Sequence, residues 1–167
     1  ASELSALKLH GVLLASGKRA EADATARKWL ADHPNDTAYR MYLAEQALRS
    51  RDFKGAMSHY QVIVTQQPEN VVALNNLAWA AGQLGDPKAI GYAERALKIA
   101  PDSPLVLDTM GVLLVTSGDA NRGLEYLTRA VTLAPDRNDI RLNYAKALMK
   151  AGKSEHARKE LTQLEGV

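Results

Sequence analysis

Residues 71–101 read VVALNNLAWAAGQLGDPKAIGYAERALKIAP. Leu74, Leu77, Ala78 and Ala81 recur at the three- and four-residue spacing of one helix face. Gly85 then offers a left-handed stop, because glycine takes positive φ without steric cost. Asp86 is placed to cap a second helix, and Pro87 suits its first turn. That helix is expected to run to about Ile99 and to end before Pro101, since a residue preceding proline avoids the α region. Asp102 or Ser103 can cap whatever follows. The stretch therefore predicts a helical hairpin, its first helix running from about Val71 to Leu84.

The same hairpin recurs along the chain. Pro34, Pro68, Pro101 and Pro135 are 34, 33 and 34 residues apart. A turn column holds Gly17, Arg51, Gly85, Gly118 and Gly152, and a small-residue column holds Ala22, Ala56, Ala89, Gly123 and Ala157. A third column, Leu9, Leu43, Leu77, Met110 and Tyr144, is followed one residue later by His10, Ala44, Ala78, Gly111 and Ala145. Independent columns sharing one phase identify a repeat. The single 33-residue step falls between Gly85 and Ala89, in a turn, where a deletion is tolerated. A lone hairpin of this kind cannot bury its apolar face. Stacked neighbours bury it, so the pattern predicts an all-α stack.

Composition narrows the function classes. Apolar residues form 46% of the 167-residue chain, enough for a core, and the dominance of Ala and Leu favours helices. The net charge of +2 comes from basic and acidic residues mixed along most helices, so no nucleic-acid footprint is expected. The absence of cysteine removes disulfides and thiolate chemistry. No run approaches the ~18 apolar residues of a membrane span, so no direct membrane insertion is expected. The chain opens Ala1-Ser2-Glu3 without an initiator methionine and enters a helical pattern at once, which predicts a fragment or a processed product.

No catalytic or metal constellation is legible, and no cofactor is expected. His10, His33, His59 and His156 fall in different repeats without metal-ligand spacing, and read as surface or packing residues. Gly82-Gln83-Leu84-Gly85 lacks the further Gly and the Lys-Ser/Thr of a phosphate loop. Glu155 and Glu160 sit among basic neighbours and read as solvated ion pairs.

These columns resemble the tetratricopeptide repeat (TPR) family. Its motif places a large apolar residue and then a small one in the first helix, Gly at the turn, Ala early in the second helix and a closing Pro. The resemblance runs from about Glu3 to Leu164 and implies a right-handed superhelix of about five helix-turn-helix repeats. Their bounds are about 3–36, 37–70, 71–103, 104–137 and 138–167, in a single array. Three positions depart from the motif. Arg51 stands where Gly is usual, at a cost of about 1 kcal/mol if the turn needs positive φ. Gly123 replaces the packing Ala, and His10 occupies a small column. The stretch Ala73-Leu74-Asn75-Asn76-Leu77-Ala78-Trp79, then Gly85-Asp86-Pro87, is also similar to the C-terminal repeats of bacterial TPR lipoproteins of PEP-CTERM protein-sorting and exopolysaccharide systems. That resemblance implies an exported, lipid-anchored parent with more repeats upstream. Without it a cytoplasmic protein is expected.

The two ends differ. Inner second helices carry apolar docking residues: Met57 and Val64, Ile90 and Leu97, Leu124 and Val131. The last helix has Arg158 and Glu165 in those columns, suited to ending the stack in water. The first helix spreads Leu4, Leu7, Leu9, Val12, Leu13 and Leu14 around its surface, which predicts an upstream neighbour or a contact between copies of the chain.

The TPR resemblance implies a non-enzymatic scaffold that binds a protein or peptide in a groove lined by first helices. The groove columns select Met41, Tyr42, Glu45 and Arg49; Asn75, Asn76, Trp79 and Gln83; Asp108, Thr109, Val112 and Thr116; and Leu142, Asn143, Lys146 and Lys150. Trp79 could serve the core, but Leu74, Leu77, Ala78 and Ala81 already fill it. Beside two Asn and a Gln it reads as an apolar anchor among amides able to bind an extended backbone, and its truncation is expected to spare stability. A chaperone-type carboxylate clamp is not expected, since only Asn76 matches it and Met41, Glu45, Val72, Leu105 and Thr109 do not. A self-assembly module and a regulatory or anchoring domain of a larger secretion or polysaccharide-synthesis enzyme are the alternatives. By contrast, Trp29, Phe53, Tyr60, Tyr92 and Tyr126 read as packing residues.

Overall fold

A computed structural model describes residues 2–165; the side chain of Glu165, and with it that residue's predicted part in the charged last helix, lies outside the description. Among the described residues there are ten helices and no strand. They are α1 (Glu3–Ala15), α2 (Arg19–Asp32), α3 (Thr37–Arg49), α4 (Phe53–Gln66), α5 (Val71–Gln83), α6 (Ala89–Ile99), α7 (Pro104–Thr116), α8 (Ala120–Leu133), α9 (Asn138–Lys150) and α10 (Ser154–Glu165). Consecutive helices pair into five hairpins. Two compact units result. Residues 1–68 hold the first two hairpins, and residues 69–167 hold the last three.

Local chemistry sets the boundaries. Each first helix ends in the same double closure. After α5, Gly85 N–H donates to Gly82 O at 3.1 Å and Asp86 N–H to Ala81 O at 2.9 Å. The residue making this turn has positive φ at Gly17, Arg51, Gly85, Gly118 and Gly152. At Arg51, φ is 60°, so this side chain does occupy a glycine conformation. The second helices end where the next residue is proline. His33, Gln67, Ala100 and Ala134 all leave the α region, with φ near −130°. Asp36, Asp52, Asn70 and Asp119 cap helices by accepting from the backbone N–H three residues on.

Two predicted caps differ. Asp86 does not cap α6 itself. Its Oδ1 accepts from Lys88 N–H at 2.8 Å, capping a turn that precedes the helix. With one residue missing and Pro87 and Lys88 left in the turn, α6 has 11 residues, against 14 in α4 and α8. Ser103 occupies the N-cap position of α7, but its side chain makes no capping bond; Pro104 follows as the first helical residue and has no N–H to satisfy.

The core follows the repeat. Leu74, Leu77, Ala78 and Ala81 are wholly buried, as the quoted stretch predicts. In the second unit, Leu97 and Val131 pack against the buried Leu107 and Ile140 of the helices that follow them. Around Gly111 and Gly123, α7 and α8 come unusually close. A Cβ on Gly123 would lie 2.7 Å from the Gly111 carbonyl oxygen, and one on Gly111 would lie 2.9 Å from the Gly123 oxygen. The two departures from the usual Ala are therefore one feature, a contact between backbones. In the first unit, Ala6, Ala26, Trp29, Tyr39 and Leu43 form the core, and Trp29 Nε1–H donates to Asp36 at 2.8 Å. Tyr60 is also fully buried, while Phe53, Tyr92 and Tyr126 are half-buried. On α1, Leu4, Leu9 and Val12 stay exposed, whereas Leu43, Leu77 and Met110 in the Leu9 column are buried. On the last helix, Arg158 is exposed. Glu160 does not form a solvated pair. It accepts from Arg141 of α9 at 2.5 Å, with both side chains largely sheltered. Glu155 is exposed.

Candidate functional site

In the second unit, α7 packs beside both α5 and α9, so the selected residues of three first helices fall on neighbouring elements. Helical spacing puts Asn75 and Trp79 on one side of α5, and Asp108 and Val112 at matching positions of α7. The repeat then sets which column faces which.

The clearest contact joins α7 to α9. Asn143 Nδ2–H donates to both carboxylate oxygens of Asp108, at 3.1 and 3.0 Å. Burial pushes the Asp108 carboxyl up to about 6, against the pull of the Asn143 bond. Asp139 raises it further and Arg137 lowers it. Those two groups bind each other at 2.6 Å at the start of α9, and the pairing holds Asp139 below the usual carboxylate range.

Asn75 stands one repeat before Asp108 in the same column. Its Oδ1 is buried and has no hydrogen-bond partner. Asn76 and Trp79 are half-buried, and Gln83 is exposed. Trp79 is half-buried rather than fully exposed. Lys146 and Lys150 are exposed on α9, as is Leu142.

Thr109 and Val112 are turned into the fold, whereas Thr116 stays exposed on α7 and Arg49 on α3. Thr109 is 5% exposed, and Val112 packs into the cluster of Leu124, Ala147 and Leu148. The Thr116 hydroxyl donates to Val112 O of its own helix at 2.8 Å. In the first unit, the Tyr42 hydroxyl lies 3.0 Å from His10 Nδ1, so part of its polarity is spent inside the fold. Glu45 and Arg49 form an open pair at 3.8 Å, and Met41 is half-buried. His10 stands out in the sequence as a departure in a small column, but not its burial or its bond to Tyr42, and the link from Asp108 to Asn143 is not marked at all. The register of the repeat, which sets one column opposite the next, could have found that link.

Among the described residues no cluster of three metal-ligating side chains exists, and no helix is long and apolar enough to cross a membrane.

Sequence patterns of the tetratricopeptide repeat match residues 12–71 and 114–166. The chain is 30% identical over 121 residues to Protein FlbA of Caulobacter vibrioides, covering 72% of this chain and 19% of FlbA. It is 29% identical over 112 residues to protein arginine N-methyltransferase 9 of Mus musculus, covering 60% of this chain and 13% of that one. The chain thus spans less than a fifth of either relative. Among solved structures, YrrB, a TPR protein with an unusual peptide-binding site, superposes with a TM-score of 0.69 at 17% identity, covering 96% of this chain and 84% of YrrB. That likeness shows the fold, as the patterns show the repeat. Arrays of such repeats serve as protein-interaction scaffolds, and this chain belongs to the tetratricopeptide repeat family.

Proposed function

We propose that the second unit holds an extended segment of a partner protein across α5, α7 and α9. Trp79 is the apolar anchor. Asn75 and Asp108 accept hydrogen bonds from the segment's N–H groups or cationic side chains, and Asn76, Gln83 and Asn143 add amide contacts. Lys146 and Lys150 face acidic groups. On α3 of the first unit, Glu45 and Arg49 offer the matching columns to the same kind of ligand. The observation that carries this reading is the buried, unpartnered Oδ1 of Asn75. A fold seldom leaves a buried acceptor unused, so an oxygen that a turn of the Asn75 side chain would bring out in the column of Asp108 supports a role outside the fold. No chemistry is assigned to the chain itself.

The finer setting is part of the same proposal. The stretch from Ala73 to Trp79 and the shortened turn after it favour service in a bacterial protein-sorting or exopolysaccharide export system. A lipoprotein signal upstream in the gene would support that, and a cytoplasmic parent would remove it. A second reading has a specific support. One relative carrying an enzyme name is far longer than this chain, so the repeats could equally be the anchoring part of a larger enzyme.

The test is capture of partners by the wild type and by the double variant Asn76→Ala, Trp79→Ala, with binding of the identified segment then measured. Loss of at least tenfold in affinity is expected, since anchor residues of this kind each contribute about 2 kcal/mol or more. Half-buried Trp79 also packs, so a melting-temperature drop of a few degrees accompanies it, from roughly 1–2 kcal/mol of lost burial. Full affinity in the folded double variant would remove the assignment.

A further inference from the structure

The repeat supplies its own controls, because every position has counterparts in other hairpins. At the junction between the first and second hairpins, four positions break the rule. Asp23 stands where later second helices dock with Ile90 and Leu124. Gln46 stands where later first helices place Leu113 and Ala147. His10 replaces the small residue, and His59 stands where Tyr92 and Tyr126 stand later. Size changes too. Trp29 and Tyr39 face each other, with ring centroids 5.8 Å apart, where Ala96 and Ala130 let later helices approach. As a result the backbones of α2 and α3 do not come together as those of α6 and α7, or α8 and α9, do.

The opening is a cleft of about 740 Å3 within the first unit, in the size range of small-molecule sites. Its apolar lining includes Leu14, Leu30 and Leu43. Arg19, Arg27 and Arg49 line it as well. Arg19 and Arg27 form no ion pair among the described residues, and the Arg49 pair with Glu45 is long. Two carboxylates share the lining: Asp52 is spent on the Gly55 N–H, and Asp23 acts on the neighbouring His10, so three guanidiniums outnumber them. His59 lines the cleft too, and its Nδ1 is buried without a hydrogen-bond partner. A junction that served only to stack would carry carbon at these positions, as the later ones do.

We propose that this cleft binds a small organic anion with an apolar body, its carboxylate or phosphate held by Arg27 and its neighbouring arginines and its body lying on Leu14, Leu30 and Leu43. Guanidinium forks suit either anion, since both present paired oxygens. His59 and Gln46 add hydrogen bonds at the inner wall.

The test is a titration of the whole chain with phenylacetate and, separately, phenyl phosphate, followed by NMR at the His59 ring and the Gln46 side-chain amide. Saturable shifts at both groups are expected with at least one probe, and the tighter probe identifies the anion. Arg27→Ala should weaken binding by about tenfold, the loss of one charge-assisted bond. The pair Asp23→Leu, Gln46→Leu restores the rule of the later junctions. It should raise the melting temperature and abolish the shifts. Shifts that never saturate in the wild type, or an affinity left unchanged by Arg27→Ala, overturn the proposal. A stabilised double variant with no wild-type binding would show a merely imperfect junction. Should the double variant fail to fold, the wild type and Arg27→Ala decide alone.

Discussion

Arg51 shows how one backbone angle sets a measurable cost. Its φ of 60° is the glycine conformation of the other four turns. An L side chain there costs about 1–2 kcal/mol, and glycine gives back part of that through unfolded-state entropy. Arg51→Gly is therefore expected to stabilise the chain by roughly 0.5–1 kcal/mol, read as a rise in urea midpoint at unchanged slope. Asp108 works through protonation. Its folded value of about 6 lies above its ordinary 3.8, so the folded state binds more protons between those pH values. Stability from this group is highest below pH 4, falls as pH rises, and reaches its full deficit above pH 6. The deficit is on the order of 2–3 kcal/mol. Asp108→Asn keeps an acceptor for Asn143 but no charge. It should raise stability at pH 7 and flatten the slope between pH 4 and 6 in denaturation curves.

Among the elements, the α7–α8 hairpin depends most on missing atoms. Gly111 and Gly123 each leave room for the other's carbonyl. Gly123→Ala gains helix propensity but must push backbone away from backbone, so a net loss of about 1–2 kcal/mol is expected. Calorimetry of the variant beside Gly91→Ala, whose added Cβ meets nothing within 4 Å, separates the two effects. Helix number, turn positions and the column of buried Leu were legible in the sequence, because period and proline spacing are local signals. The Gly111–Gly123 contact was not, since it joins two departures that look separate along the chain. The candidate site was only half legible. Columns pick a helix face, but they do not say that Thr109 is buried or that Tyr42 turns back to His10. Those outcomes depend on the volume of the neighbouring side chains.

Across the whole molecule, the two units answer pH in opposite senses. In the first, burial lowers His10 against the pull of Asp23, and burial with Arg40 lowers His59 against Asp52. Both groups are depressed below 6.5, so their contribution is complete above pH 6.5 and drains away as pH falls through their folded values. In the second, Asp108 gains as pH falls toward 4. Moving from pH 7 to pH 5 should lower amide protection in α1–α4 and raise it in α7 and α9, by hydrogen exchange corrected for intrinsic rates. A uniform change in both units would contradict the assignment.

The polar junction between the first two hairpins carries a further consequence. Order in a linear array passes only from neighbour to neighbour, so a weak coupling is a seam in cooperativity. α1 and α2 should fray as a unit while α3 and α4 keep their protection, visible as a separate exchange step at low denaturant. A seam of that kind is also where a hairpin can be gained, lost or traded between chains without unravelling its neighbour. The first hairpin is thus the part of its unit expected to detach first, held to its neighbour by the cluster of Trp29, Tyr39 and Leu43 and loosened by the polar residues beside it.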